Sequence, residues 1–335
     1  MTDALMHFDP VILAVIILAL LFDFLNGIHD SSNVVATMIS SRALSPRVAL
    51  SMTALANLVG PFVFGVAVAK TIGDEIVTAQ AINETVLLAA LIGAIFWNLL
   101  TWYLGFPSSS SHALIGGFIG AVAVGAGWDA IKISGMEKVL IALFVSPIVG
   151  FAAGYLVLRL TILLSWNASP SINAFFRQSQ IFTALTLALS HGTNDAQKTM
   201  GLITLALLTG GYISSFQVPT WVILICASMI GLGTALGGWR LIRTLGGKFY
   251  KIRPVDGFAS QLASAAVILT ASLVGGPVST TQVVSSAIMG VGTGERANKV
   301  RWGVAQEIIT AWVLTIPATA LVAAGFYFLL ARILP

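Results

Sequence analysis

The octapeptide HGTNDAQK, residues 191–198, and its echo NGIHDSSN, residues 26–33, decide the reading of this chain. Each sets an aspartate three places after a glycine, inside a long apolar segment that otherwise holds almost no charge. A carboxylate in hydrocarbon is costly, so Asp30 and Asp195 read as functional groups by default. Their recurrence in the two halves of the chain points to a duplicated unit.

Composition sets the class. The 335-residue chain is 57% hydrophobic and only 9% charged, against roughly 25% charged in an ordinary soluble domain. Residues 85–128 and 199–239 form uncharged runs of 44 and 41 residues, each about twice the roughly 20 residues that span a bilayer. An all-α integral membrane protein is expected, with the lipid bilayer as its partner. The single cysteine, Cys226, excludes an internal disulfide and reads as an inert core thiol. The modest basic excess reflects topology, and no basic tail or stacking platform supports binding to nucleic acid.

Apolar periodicity places the elements at about residues 8–40, 48–69, 85–126, 138–165, 179–209, 217–239, 257–293 and 303–331. The first lacks a basic leader, so a cleavable signal peptide is not expected. The third and seventh are broken by GFPSSSSHALIGG from Gly105 and GGPVSTTQVVSSA from Gly275, and read as helical hairpins, either re-entrant or spanning, that return to the side they left. Matched positions define the duplication. Asp30 pairs with Asp195 at an offset of 165, Gly73 with Gly246 at 173, and Pro107 with Pro277 and Pro147 with Pro317 at 170. Residues 1–166 form a first repeat, 167–178 a linker and 179–335 a second repeat. An odd number of crossings per unit gives the copies opposite orientations, an architecture in which broken helices from both halves meet near the midplane.

Basic residues orient the chain. With the N-terminus outside, Arg42, Arg47, Arg159, Arg177, Arg240, Arg243, Lys248, Lys251, Arg253, Arg296, Lys299 and Arg301 fall on the cytoplasmic side, against Lys70, Lys132, Lys138 and Arg332 outside. Lys198 stays within the membrane. Both termini are therefore expected outside the plasma (inner) membrane.

The chemistry fits an anion carried with a cation. Pro107 is expected to start a helix whose unpaired N–H groups lie beside the hydroxyls of Ser108, Ser109, Ser110 and Ser111; Pro277 with Ser279, Thr280, Thr281 and Gln282 repeats the pattern. Helix N-termini bind tetrahedral oxyanions through backbone donors and dipole together. Asp30 and Asn33 offer hard oxygen ligands to a sodium ion, from one helix face or an unwound turn, and a carboxylate can take a proton instead. In the second copy Asn194 and Asp195 are followed by Lys198 where Asn33 stands in the first. An ammonium group has donors only, so Lys198 is expected to pair with Asp195 in place of a bound cation. His112, matched by Gln282, is expected to orient its tip. Asp23 reads either as a hydrogen-bonded carboxylate facing the bundle or as a proton relay.

These stretches, with NGIHDSSNVVATMISSRALSP from Asn26, SHGTNDAQKTMG from Ser190 and RWGVAQEIITAW from Arg301, resemble the Pit family of inorganic phosphate transporters over nearly the whole chain. The resemblance implies an inverted-repeat symporter of phosphate driven by sodium or protons, commonly a homodimer, with the aspartate motifs and hydroxyl-rich tips forming the site. It implies no cofactor beyond the coupling ion. Some family members take phosphate as a metal-phosphate complex, and some relatives carry sulfate. The sodium-coupled pattern G-x-N-D-x-x-N is broken here by His29 in the first copy and Lys198 in the second. An intramembrane serine hydrolase built on Ser110, His112 and Asp30 is the alternative from another class. Catalysis requires asymmetric roles and gives no reason to duplicate the motif with Gln282 in place of His112.

Overall fold

The computed structural model describes residues 8–106, 108–237 and 252–334. Helix α1 (Pro10–Ser40) starts at Asp9, whose side chain accepts from the Val11 N–H, with Pro10 in the first turn where its missing N–H costs nothing. It is followed by α2 (Pro46–Phe64), a one-turn helix Ala67–Lys70 running into a π-helical turn Thr71–Glu75, α3 (Glu84–Leu104), α4 (Ser110–Gly125) and α5 (Ile133–Leu164). The second half repeats the series with α6 (Ile172–Thr209), α7 (Thr220–Leu236), α8 (Pro254–Leu273), α9 (Thr280–Glu295) and α10 (Trp302–Leu330). Six of these helices are long and apolar enough to cross a membrane, and the chain is a multi-pass membrane protein.

The two hairpins, α3–α4 and α8–α9, are built alike. Gly105 and Gly275 both take φ 74°, a left-handed conformation that a side chain would strain. The following N–H groups of Phe106 and Gly276 reach back to the carbonyls of Thr101 and Ala271, closing the helices in the same way. Ser109 and Ser279 then cap the second arms by accepting from the N–H of His112 and Gln282. Pro277, expected to start a helix, does not do so: α9 begins three residues after it, with Ser279 as its cap; the corresponding expectation for Pro107 lies outside the described residues. The helix breaks fall at these tips. Both aspartate motifs stay within continuous α-helix, rather than in an unwound turn.

Packing between the halves is crosswise. Helix α4 lies on α10 and α9 on α5, so closely that a Cβ on Gly120 would stand 2.1 Å from the Ala320 carbonyl and one on Gly290 2.0 Å from that of Phe151. Likewise α1 packs on α7 through Gly27 and Gly233, and α6 on α2 through Gly192 and Gly60. Such seams are what lipid demands, because helices associate there by close backbone contact and not by exclusion of water. Pro147 and Pro317 occupy corresponding places inside α5 and α10.

The expected linker is partly helical, since residues 172–178 form the first turns of α6. Charged groups gather in two sets. Lys138 pairs with Glu75, next to Lys132, which donates to the Asp74 backbone carbonyl, whereas Arg253 and Lys299 meet Asp256 and Glu295. The bend of the second hairpin separates the sets: Arg253 caps the open end of α8, and Gly275 at its far end lies against Thr71 and Lys138. Of the residues used for the expected orientation and repeat offsets, Arg240, Arg243, Gly246, Lys248 and Lys251 lie outside the described residues.

Candidate functional site

The two hairpin tips meet. Ser109 Oγ and Ser279 Oγ lie 2.7 Å apart, and His112 Nε2 and Gln282 Nε2 lie 3.2 Å apart. Both pairs are separated by 170 residues, the repeat offset, so each straddles the axis that relates the halves. Symmetry-related atoms can touch only there.

Against this junction the long helices bring Asp30 and Asp195. Both are buried, on stretches of α1 and α6 that are enclosed on all sides. Asp30 accepts from Ser110 Oγ at 3.1 Å, Thr281 Oγ1 at 2.8 Å and Asn33 Nδ2 at 2.9 Å, with Thr280 Oγ1 at 3.5 Å and His29 Nδ1 3.3 Å away. Asn33 Nδ2 also donates to Thr281 Oγ1 at 2.9 Å, and its Oδ1 is buried without a partner. Asp195 accepts from Thr280 Oγ1 at 2.8 Å and from the Lys198 ammonium. Lys198 completes its set with Ser111 Oγ at 2.6 Å and the Val278 carbonyl at 2.9 Å. The ion pair expected from the three-residue spacing is therefore present, and it reaches both tips.

The hydroxyls divide into two groups. Ser110, Ser111, Thr280 and Thr281 face the carboxylates and the ammonium. Ser109 and Ser279 cap helices, Gln282 meets His112, and Ser108 donates to Thr101 Oγ1 at 2.7 Å, on the outer side of its tip. Asn194 also stands apart from the carboxylates: its Nδ2 donates to Ser272 Oγ and the Gly276 carbonyl, which fixes the second bend. Ser110 bonds to Asn26 and Asp30, while His112 bonds to Ser109. Ser110 and His112, the nucleophile and base of the serine-hydrolase alternative, are thus bonded to different partners and not to each other.

Two site residues were not assigned from sequence. His191 Nε2 sits 3.0 Å from Asp195 Oδ2 and 4.0 Å from Asp30 Oδ2, with Nδ1 3.1 Å from Asn57 Oδ1. Asn26 receives the Ser110 hydroxyl at 2.5 Å. The duplication carried the signal, because both residues stand four places before their aspartate. Asp30, His191 and Asp195 offer ligand atoms within 4.8 Å of one another, so this cluster could hold a cation, as could Asp30 with the free oxygen of Asn33. Chemically, the arrangement places hydroxyl donors, one fixed cation and two carboxylates around a closed centre.

The model of the "Phosphate transporter family" matches residues 26–323. A Bacillus subtilis (strain 168) protein named "Probable low-affinity inorganic phosphate transporter" is 46% identical over 320 residues, 94% of this chain and 96% of that protein. A Rhizobium meliloti (strain 1021) protein of the same name is 44% identical over 331 residues, 97% of this chain and 98% of its own. The fold is similar to a solved structure, "The sodium-dependent phosphate transporter", with a TM-score of 0.88 at 24% identity, covering 97% of this chain and 100% of that one.

Proposed function

This chain belongs to the phosphate transporter family, and we propose that it is a secondary symporter carrying inorganic phosphate, free or as a metal-phosphate complex, across the plasma membrane with protons. Its halves act as inverted repeats, residues 1–166 and 179–335, with both termini outside. Two copies associate as a homodimer, and no cofactor beyond the coupling ion takes part.

One observation carries this reading. The hydroxyls suited to a tetrahedral oxyanion, Ser110, Thr280 and Thr281, are engaged by Asp30 and Asp195 in the closed site. Phosphate competes with the carboxylates for the same donors. Protonation of Asp30 removes its claim on them, because a neutral carboxylic acid is the weaker acceptor, and it also removes a negative charge facing the anion. Proton and phosphate therefore favour each other's binding, the linkage that symport requires. At Asp195 the Lys198 ammonium supplies a permanent counter-charge, so no coupling metal is needed there. Ser111, shared with Lys198, completes the anion's donor set.

Sodium at Asp30 is the second reading, favoured by the unpartnered Asn33 Oδ1. Turning over that amide, whose orientation is assigned from its neighbours, would aim the oxygen at a cation beside Asp30. Radiolabelled phosphate uptake into proteoliposomes, with pH and sodium gradients imposed separately, separates the readings. Uptake that follows the pH gradient without sodium supports protons, whereas uptake that follows only sodium supports the second. Sulfate competing as well as phosphate would replace phosphate as substrate.

A further inference from the structure

Asp23 lies on the same face of α1 as Asp30, seven residues earlier, or about 10 Å along the axis. It is completely buried. Its Oδ1 accepts from Thr199 Oγ1 on α6, the buried Cys226 of α7 lies near the same carboxyl, and Oδ2 has no hydrogen-bond partner. No lysine, arginine or histidine forms an ion pair with it among the described residues.

The charged and titratable groups on the packed helices are few. They are Arg47 at the start of α2, Glu84 and Tyr103 at opposite ends of α3, Asp256 and Glu295 at the open end of the second hairpin, Arg177, His191, Asp195 and Lys198 on α6, and Cys226 on α7. The repeat partner of Asp23 is Ala188, also buried, so no structural need common to both halves explains a carboxyl here.

We propose that Asp23 is a second proton-binding carboxylate of the transport cycle, taking a proton on its unpartnered Oδ2 when the substrate site loads and returning it to water when the site empties. This rests on the proton-symport reading. An isolated ionised carboxylate buried in a membrane-spanning helix is costly, so a change in the charge of its surroundings during transport changes its proton occupancy. Thr199 directly follows Lys198, which makes the hydroxyl held by Asp23 a neighbour of the residue that holds both hairpin tips.

The test is phosphate accumulation in proteoliposomes at clamped membrane potential, for wild type and Asp23→Asn. Each coupled proton adds about tenfold accumulation per pH unit. Asp23→Asn, which preserves shape and hydrogen bonding, is expected to lose about tenfold per pH unit while keeping phosphate–phosphate exchange. Equal slopes would overturn the role of Asp23 and leave proton symport standing. A wild-type slope of zero would overturn symport with protons, and this inference with it. If Asp23→Asn loses exchange as well, Thr199→Val decides, because it removes a donor that favours the ionised form. It should move the pH midpoint of uptake upward, and an unmoved midpoint would overturn the proposal.

Discussion

Replacing Lys198 with asparagine gives the second motif the ligand pattern of the first, and the structure sets the size of the effect. The ammonium has three partners, Asp195, Ser111 and the Val278 carbonyl, and all are buried. Its removal leaves Asp195 with His191 and Thr280 alone. Breaking a buried pair by deleting one partner costs about 3–5 kcal/mol, mostly as the penalty of the charge left behind. A sodium ion bound by Asp195 and the new amide at a concentration about 100 times its Kd would return about 2.7 kcal/mol. Lys198→Asn should therefore unfold at lower temperature than wild type in sodium-free detergent solution and regain more than about half of the loss in sodium, with wild type indifferent. Lys198→Met controls for the amide, and should lose stability without regaining it. Asp195→Asn combined with Lys198→Asn should lose less than Lys198→Asn alone, since no charge is stranded. Melting curves in potassium and in sodium, with phosphate uptake measured beside them, read all three variants. Equal melting of wild type and Lys198→Asn without sodium would refute the argument, because the pair would then contribute nothing.

Ser110→Ala with Ser111→Ala, and Thr280→Ala with Thr281→Ala, each remove two donors to charged groups worth about 1.5–3 kcal/mol apiece, so phosphate affinity should fall roughly tenfold or more per donor. Titration of purified protein measures it, and normal binding by both variants would make the tips structural. Gly290→Val should abolish folding, because a Cβ there meets the Phe151 carbonyl at 2.0 Å; size-exclusion profiles give the readout, and a normal monodisperse peak would contradict the packing. Burial alone would raise the Glu75 carboxyl, but the hydrogen bond and charge of Lys138, with help from Thr71, hold it below its ordinary 4.5. The resulting stabilisation is small, because both side chains of the pair are more than a third exposed. Its sign is fixed: it is complete above 4.5 and lost as pH falls through the lowered value, so the melting difference between wild type and Glu75→Gln should shrink on acidification.

The sequence exposed the fold because lipid imposes coarse rules. Uncharged runs longer than a span, prolines at matched offsets and a repeated Gly–x–x–Asp were enough to place each helix and both hairpin bends. What the sequence hid was short-range geometry. Ser108 and Ser109 look like Ser110 and Ser111 in the string, yet the first is buried against Thr101 and the second caps its helix. Asn194 resembles a ligand beside its aspartate, but consecutive residues of a helix point about 100° apart, and it faces the second bend instead. The linker hid for the converse reason, because its polar second half continues α6 beyond the apolar stretch.

The asymmetry between the halves then acquires a mechanical meaning. The tips are related by an axis passing between Ser109 and Ser279 and between His112 and Gln282, so the scaffold treats the halves alike while the charges do not. Asp195 holds a fixed counter-ion, the buried Lys198. Asp30 has hydroxyls, an amide, His29 and, at 4.0 Å, His191 around it, and among the described residues no lysine or arginine pairs with it. Two variable carboxylates would each call for a coupling cation, whereas one fixed pair leaves the other aspartate to sense the load. On the proposed symport reading, Lys198 in place of the second asparagine thus keeps the duplicated frame of the two tips while leaving ion sensing there to the first motif.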